Sequence, residues 1–351
     1  MNVPVHESEE ITPPSSLRGP PLTPPPTDEK EARDTRDILR RVAEHKPGSA
    51  VSTIHKVDKD SWAAVSPFLR QKDKLRIDYL PSAQCIVCRM PTKVHEQFSR
   101  SLSGRIVEQL RLLSQGSGSA ADFAKGIRDV GSATIRPRDP EYGTHDPDSS
   151  FQHLNSPMPT VIIEVAHSQN GRRLRTLAEE YLLGSDLAIR VVVGIDIEYS
   201  KSKRAAFSVW RAELQGPEGD KAWVVEPTVA DQIFRNDDGE PHSDQKAGLN
   251  LRLEDFADER TCRTFEDIDE DISVSSNELY QYLEDAEAIA KMADSTQTER
   301  NPRIKKRRRT QTPEEQLDDC DEDAYAKDEE HVSKRRDLDD ASYKRSSSEY
   351  T

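Results

Sequence analysis

Two carboxylates carry the pattern in this chain most open to chemistry. Asp148 closes a Pro-Asp step ahead of Ser149, Ser150 and Phe151, and Glu164 lies inside the apolar run TVIIEVA. A short solid apolar run reads as a strand buried on both faces. An ionised carboxylate left there without compensation costs on the order of several kcal/mol, so Glu164 must be paired, protonated, placed at an exposed strand end or bound to a metal. A turn around Asn155 to Pro159 would fold the two segments into a hairpin and bring Asp148 and Glu164 together.

The elements that must position this pair follow from periodicity. Ser168, Gln169, Asn170 and Gly171 stop the strand and supply helix caps. Leu174, Leu177, Ala178, Tyr181 and Leu182 then share one helical face, while Arg175 and Glu179 are spaced to pair on the other. The helix ends near Gly184 and leads into IRVVVGIDIEY, rich in β-branched residues. Strand, helix and strand with a crossover of this length predict parallel pairing and a right-handed connection.

A Pro-Asp step, an apolar strand carrying Glu, a helix and a second buried strand together resemble the core of the PD-(D/E)XK nuclease-like superfamily, the restriction-endonuclease-like fold. The phrases RMPTKVHEQF, PDSSF, IEVAHSQ, LAEEYLLGS and VVVGIDIEY resemble more closely an uncharacterised fungal family with that fold, over about residues 60 to 290. The resemblance implies an α/β (α+β) domain with a mixed central sheet and flanking helices. It also implies Mg or Mn held by Asp148 and Glu164, with nucleic acid as partner. In the superfamily the strand position two beyond the glutamate usually carries a lysine that handles the attacking water. Here it is Ala166. Some relatives move the basic residue to the next helix, where Arg172, Arg173 and Arg175 lie. Arginine is no general base near neutral pH, but it clamps phosphate or stabilises developing negative charge. Gln169 would orient a water, and Glu96 or Glu108 would be the additional carboxylate that the first core helix sometimes contributes, although ordinary helix-surface glutamates are the favoured reading of both. Set against this, three arginines at a helix start are equally a solvated face.

The remaining chain frames that domain. Its 351 residues carry a net charge of −15, and with 33% charged residues not all of it can pack. Residues 1–33 read as a disordered Pro-rich leader, 34–59 as a short helix and linker, 60–293 as the nuclease-like domain and 294–351 as a disordered charged tail. No basic segment precedes an apolar stretch and no run of eighteen apolar residues occurs, so a soluble intracellular protein without a membrane role is expected. Lys305-Lys306-Arg307-Arg308-Arg309 fits a nuclear import signal or a nucleic-acid contact. Cys85 and Cys88 have no second close pair and read as buried thiols rather than zinc ligands. ATIRP is expected to be the first strand of the core sheet, and LNLRLEDFA its last. Three readings follow: a binding module in the nucleus that has lost catalysis, an active metal-dependent nuclease with a displaced basic residue, and carboxylates that serve only the core.

Overall fold

The architecture is built around the strand that carries Glu164. In the computed structural model, residues 36–40, 42, 53–69, 75–89, 91–139, 141–167, 171–198, 202–242 and 247–296 are described. The expected leader 1–33 and the tail beyond 296, with its basic cluster, lie outside the described residues.

In chain order, β1 (Thr53–Lys56), α1 (Lys59–Leu69), β2 (Arg76–Leu80) and β3 (Cys85–Arg89) come first, followed by α2 (Lys93–Ser114), α3 (Ser119–Ala124) and β4 (Ile127–Asp129). The hairpin β5 (Ser149–His153) and β6 (Val161–His167) leads through α4 (Gly171–Gly184) to β7 (Val191–Ile197). Then come β8 (Ala205–Gln215), β9 (Ala222–Arg235), β10 (Gly248–Arg252), α5 (Glu259–Cys262), β11 (Asp271–Ser275) and α6 (Ser276–Thr296). A six-stranded mixed sheet has the order β4-β5-β6-β7-β8-β9. Within it β6 and β7 pair in parallel and every other neighbour is antiparallel. The fold is thus mixed α+β with helices on both faces of the sheet.

Alternation along β6 and β7 sorts their side chains. Val161, Ile163 and Val165, with Val191, Val193 and Ile195, join a core that includes Phe98 and Leu102 of α2 and Leu279 and Leu283 of α6. Ile162 and Val192 face the other way, onto Leu174, Leu177 and Tyr181 of α4. The helical face read from the sequence is therefore the one that is buried, and each large apolar side chain there contributes about 1.5–3 kcal/mol. A third cluster, with Val65, Leu69, Ile77, Tyr79 and Ile86, holds α1 against the separate sheet β1-β3-β2. Ile38 and Val42 of the expected N-terminal helix pack into the same cluster.

Several expectations are corrected. ATIRP supplies only an isolated bridge, Ile135 to His145, and the first strand of the large sheet is β4. LNLRLEDFA does not join the large sheet; its first part pairs with β11 in a two-stranded sheet and Leu253–Phe256 form a 3-10 turn. The partner strand β11 follows α5 in the chain. A capping box opens α6, with Glu278 accepting from the Ser275 N–H at 2.9 Å and the Ser275 hydroxyl accepting from the Glu278 N–H at 3.2 Å. Cys85 and Cys88 are buried thiols outside any disulfide. At the sheet edge, Pro227 and register shifts along β8–β9 interrupt the ladder and blunt further strand addition.

One glycine is required by close packing. A Cβ on Gly194 of β7 would lie 2.5 Å from Cζ3 of the buried Trp210 and 3.2 Å from Leu174 Cδ1. Gly194→Ala is expected to lower stability by about 1–3 kcal/mol, read as a reduced urea midpoint with an unchanged slope.

Candidate functional site

The predicted hairpin exists and does what was expected of it. β5 and β6 are antiparallel with Ser149 opposite Ile163, so Asp148, one residue before β5, falls opposite Glu164. Both carboxylates are buried, Asp148 at 6% and Glu164 at 1% exposure. They converge on a guanidinium: Arg89 Nη1 lies 3.0 Å from Glu164 Oε2 and 3.4 Å from Asp148 Oδ1.

That arginine arrives from the small sheet. β2 and β3 form a hairpin with Arg76 opposite Arg89 and Asp78 opposite Val87. Ile77, Tyr79, Ile86 and Cys88 face α1, so alternation sends Arg76, Asp78 and Arg89 to the other side, against the large sheet. Two arginines directly opposite one another repel. Here Asp148 Oδ1 accepts from both, by a short contact with Arg76 Nη1 in addition to Arg89. Arg76 also reaches Glu96 at 2.7 Å, which places Glu96 at the margin of the site, whereas Glu108 pairs with Arg105 on an exposed helix face.

The other oxygens are engaged too. Thr92 caps α2 by accepting from the His95 N–H, so His95 sits in the first turn and points inward. Its Nε2 is 2.9 Å from both Asp148 Oδ2 and the Val165 carbonyl, and since a carbonyl only accepts, Nε2 carries the proton. The Val165 N–H donates to Asp148 Oδ2 at 2.6 Å, and Tyr181 of α4 donates to Glu164 Oε1 at 2.6 Å. Asp78 is fully buried, held by Arg89 Nε at 2.9 Å and Arg173 Nη2 at 2.7 Å. Behind it His145 lies between Asp78, at 3.6 Å, and Glu180, at 3.5 Å, and Glu180 also accepts from the Gly143 N–H at 2.6 Å.

Burial and charge act in opposition on these groups. Burial alone would raise the Asp78 carboxyl, but Arg89, the His145 hydrogen bond and Arg173 hold it well below the usual carboxylate range. At Glu164 burial wins and pushes the carboxyl up, with Arg89 offsetting part of the effect. Burial disfavours charged His145, yet Asp78 and Glu180 outweigh it and push the imidazole up to about 9. Arg89 is likewise held more firmly protonated than usual, since Asp78 and Glu164 overcome its burial.

Of the residues singled out in the sequence, Asp148 and Glu164 meet, and Arg173 joins them through Asp78 rather than facing a ligand. Arg175 pairs with Glu179 at 3.3 Å on the surface. Gln169 and the side chain of Arg172 lie outside the described residues. Sequence reasoning missed Arg76, Asp78, Arg89, His95, His145 and Tyr181. In RIDYL charged residues alternate with apolar ones and in CIVCR the one charge stands at the end, which looks like a half-solvated hairpin. The available signal was that both ends of the hairpin carry arginine while the chain elsewhere buries carboxylates.

Mg or Mn does not fit this donor set as it is arranged. Each oxygen of Asp148 and Glu164 accepts from a protein donor, and a guanidinium occupies the point where a bridging ion would sit. Among the described residues no group of three or more His, Cys, Asp or Glu side chains is arranged to hold a metal ion. No family model matches this chain, and no curated protein does either. The chemistry of the site therefore rests on its geometry: a closed set of ion pairs, with Arg76 and Arg89 each 14% exposed at its rim. No helix among the described residues is long and apolar enough to cross a membrane.

Removing the central cation leaves buried carboxylates uncompensated. Arg89→Met is expected to destabilise the fold by about 3–5 kcal/mol in chemical denaturation, and a loss below about 1 kcal/mol would mean that the ion pairs are not the fastening they resemble. His145 has a raised folded-state pKa, so its stabilisation is complete below pH 6.5 and is lost as pH rises through about 9. Unfolding free energy measured from pH 6 to pH 10 should decline accordingly, and His145→Gln should flatten that decline.

Proposed function

We propose that this domain is a restriction-endonuclease-like scaffold that no longer cuts and is retained as a binding module in the nucleus. The observation that carries the reading is the guanidinium of Arg89 between Asp148 and Glu164. A fixed cation there satisfies the carboxylates electrostatically but offers no exchangeable water and no Lewis acidity, which are what hydrolysis of a phosphodiester needs from that position. Ala166 supports the same reading. It pairs in register with Asp196 of β7 and packs at the edge of the α4-facing core, where a methyl group can neither position water nor stabilise negative charge. The basic cluster at Lys305 to Arg309 supports a nuclear address.

A second reading, an active metal-dependent nuclease, is favoured by one observation: the two carboxylates point at a common centre across the β5–β6 hairpin. It requires Arg89 to leave that centre and a basic group to serve in place of the missing lysine.

The test is a cleavage assay on labelled single- and double-stranded DNA and RNA with magnesium or manganese. Wild type is compared with Asp148→Ala and with Glu164→Gln, which retains an acceptor for Tyr181, each checked for folding by circular dichroism. Equal background for all three proteins is the expected result. Metal-dependent cutting by wild type that both variants lose would overturn the proposal and establish the nuclease.

A further inference from the structure

The sheet has a second pole. At the end away from the carboxylates, the β5–β6 turn, the connection from α4 to β7 and the segment around α5 enclose a cleft of about 1220 Å³. Arg190 in its wall immediately precedes β7, four residues before Gly194, the partner of Glu164, so at a strand rise of about 3.3 Å per residue it lies roughly 13 Å along the sheet from Glu164. The cleft is larger than the roughly 300–1,000 Å³ of an ordinary small-molecule pocket, a size suited to a stretch of polymer.

The charges in it are unequally committed. Asp255 accepts from Arg211 Nη2 at 2.7 Å and from the Arg252 N–H at 2.8 Å, and Glu254 accepts from Arg252 at 3.1 Å. Glu259 is paired with Arg263, and Asp258 caps α5 by accepting from the Thr261 N–H at 2.9 Å. Arg138, Arg190 and Arg260 also line the cleft, and among the described residues none of them pairs with a carboxylate. Asp186 is the opposing lining acid without such a commitment among the described residues. The wall of the same cleft also carries exposed aromatic surface: Trp223 is 49% exposed, directly opposite the half-exposed Leu214 across β8–β9. The walls are tied together in advance, since the Asp258 N–H donates to Ser156 Oγ at 3.0 Å and Thr261 Oγ1 to the Asn155 carbonyl at 3.4 Å.

We infer that this cleft binds a short single-stranded nucleic acid, its phosphates on Arg138, Arg190 and Arg260 and a base stacked on Trp223. Guanidinium groups recognise phosphate oxygens, and an exposed indole in the same cleft accepts the face of any base. A duplex hides those faces within its own stack. The chain as a whole carries −15, so a polyanion is repelled at a distance and binding depends on this local set of cations. The inference rests on the reading of the protein as a binding module and names its ligand class.

Fluorescence anisotropy with labelled oligo-dT and oligo-rU of about 4 to about 16 nucleotides tests it. The full chain is used, both as it is and with Lys305, Lys306, Arg307, Arg308 and Arg309 all replaced by Gln, which removes the tail's own phosphate contacts. In both backgrounds Arg190→Gln and Trp223→Ala, with unchanged circular dichroism, are expected to weaken binding on the order of tenfold. Trp223→Phe retains a stacking surface and should keep most of the affinity. Affinity should rise with oligomer length and exceed that for duplex of equal length. Loss of all binding on substitution of the tail cluster, indifference to Arg190→Gln and Trp223→Ala, or a mononucleotide that binds as well as the longest oligomer would each overturn the inference. Cleavage at the carboxylate pole would overturn the proposed function and leave this result standing.

Discussion

Three carboxylates and three guanidinium groups meet in one water-poor space, and none of the carboxylates is tolerable there alone. Asp78, Asp148 and Glu164 have almost no solvent contact, and each lost hydration shell must be replaced by fixed donors. Arg89 contacts all three, while Arg76, Arg173, His95 and Tyr181 supply what remains. The small sheet consequently docks on the large one through charge as well as apolar burial. A docking so constrained admits little slippage, because a shift of one residue in β2 or β3 would turn the charged face away and bring Ile77 and Tyr79 against the carboxylates.

The same residues solve a backbone problem. β5 begins at Ser149, so beyond Ile163 the edge of β6 has no strand partner on that side. Asp148 accepts the Val165 N–H and His95 donates to the Val165 carbonyl, so two side chains stand in for the missing strand. The ladder on the other side, to β7, continues through His167. Glu164 is thereby held in a regular strand at a depth where an irregular chain would leave polar groups unsatisfied.

Local period and composition made the central β6–α4–β7 unit legible in the sequence, and the hairpin that joins Asp148 to Glu164 followed from a turn signal between two strand-like runs. The face of α4 was legible for the same reason, since its spacing depends on nothing outside the helix. The partners of the carboxylates were not. Arg89 reaches Glu164 across 75 residues, His95 reaches Val165 across 70, and Arg173 reaches Asp78 across 95. Nothing in RIDYL or CIVCR shows that the charged side of that hairpin is covered, because alternation reports two faces and leaves open which of them meets water. The misplacement of ATIRP and of LNLRLEDFA has a related cause: each has strand-like residues, and tertiary pairing decides whether a ladder forms.

The counter-ion at the centre of this domain is part of the polypeptide. A bound ion comes and goes with its concentration outside the protein, and a site that depends on one is empty in some fraction of molecules. Arg89 is present at one per chain from the moment of synthesis, indifferent to chelators and to the metal supply of the compartment. The cost is borne in versatility, since a tethered cation fills its place permanently and cannot be exchanged for one with different chemistry.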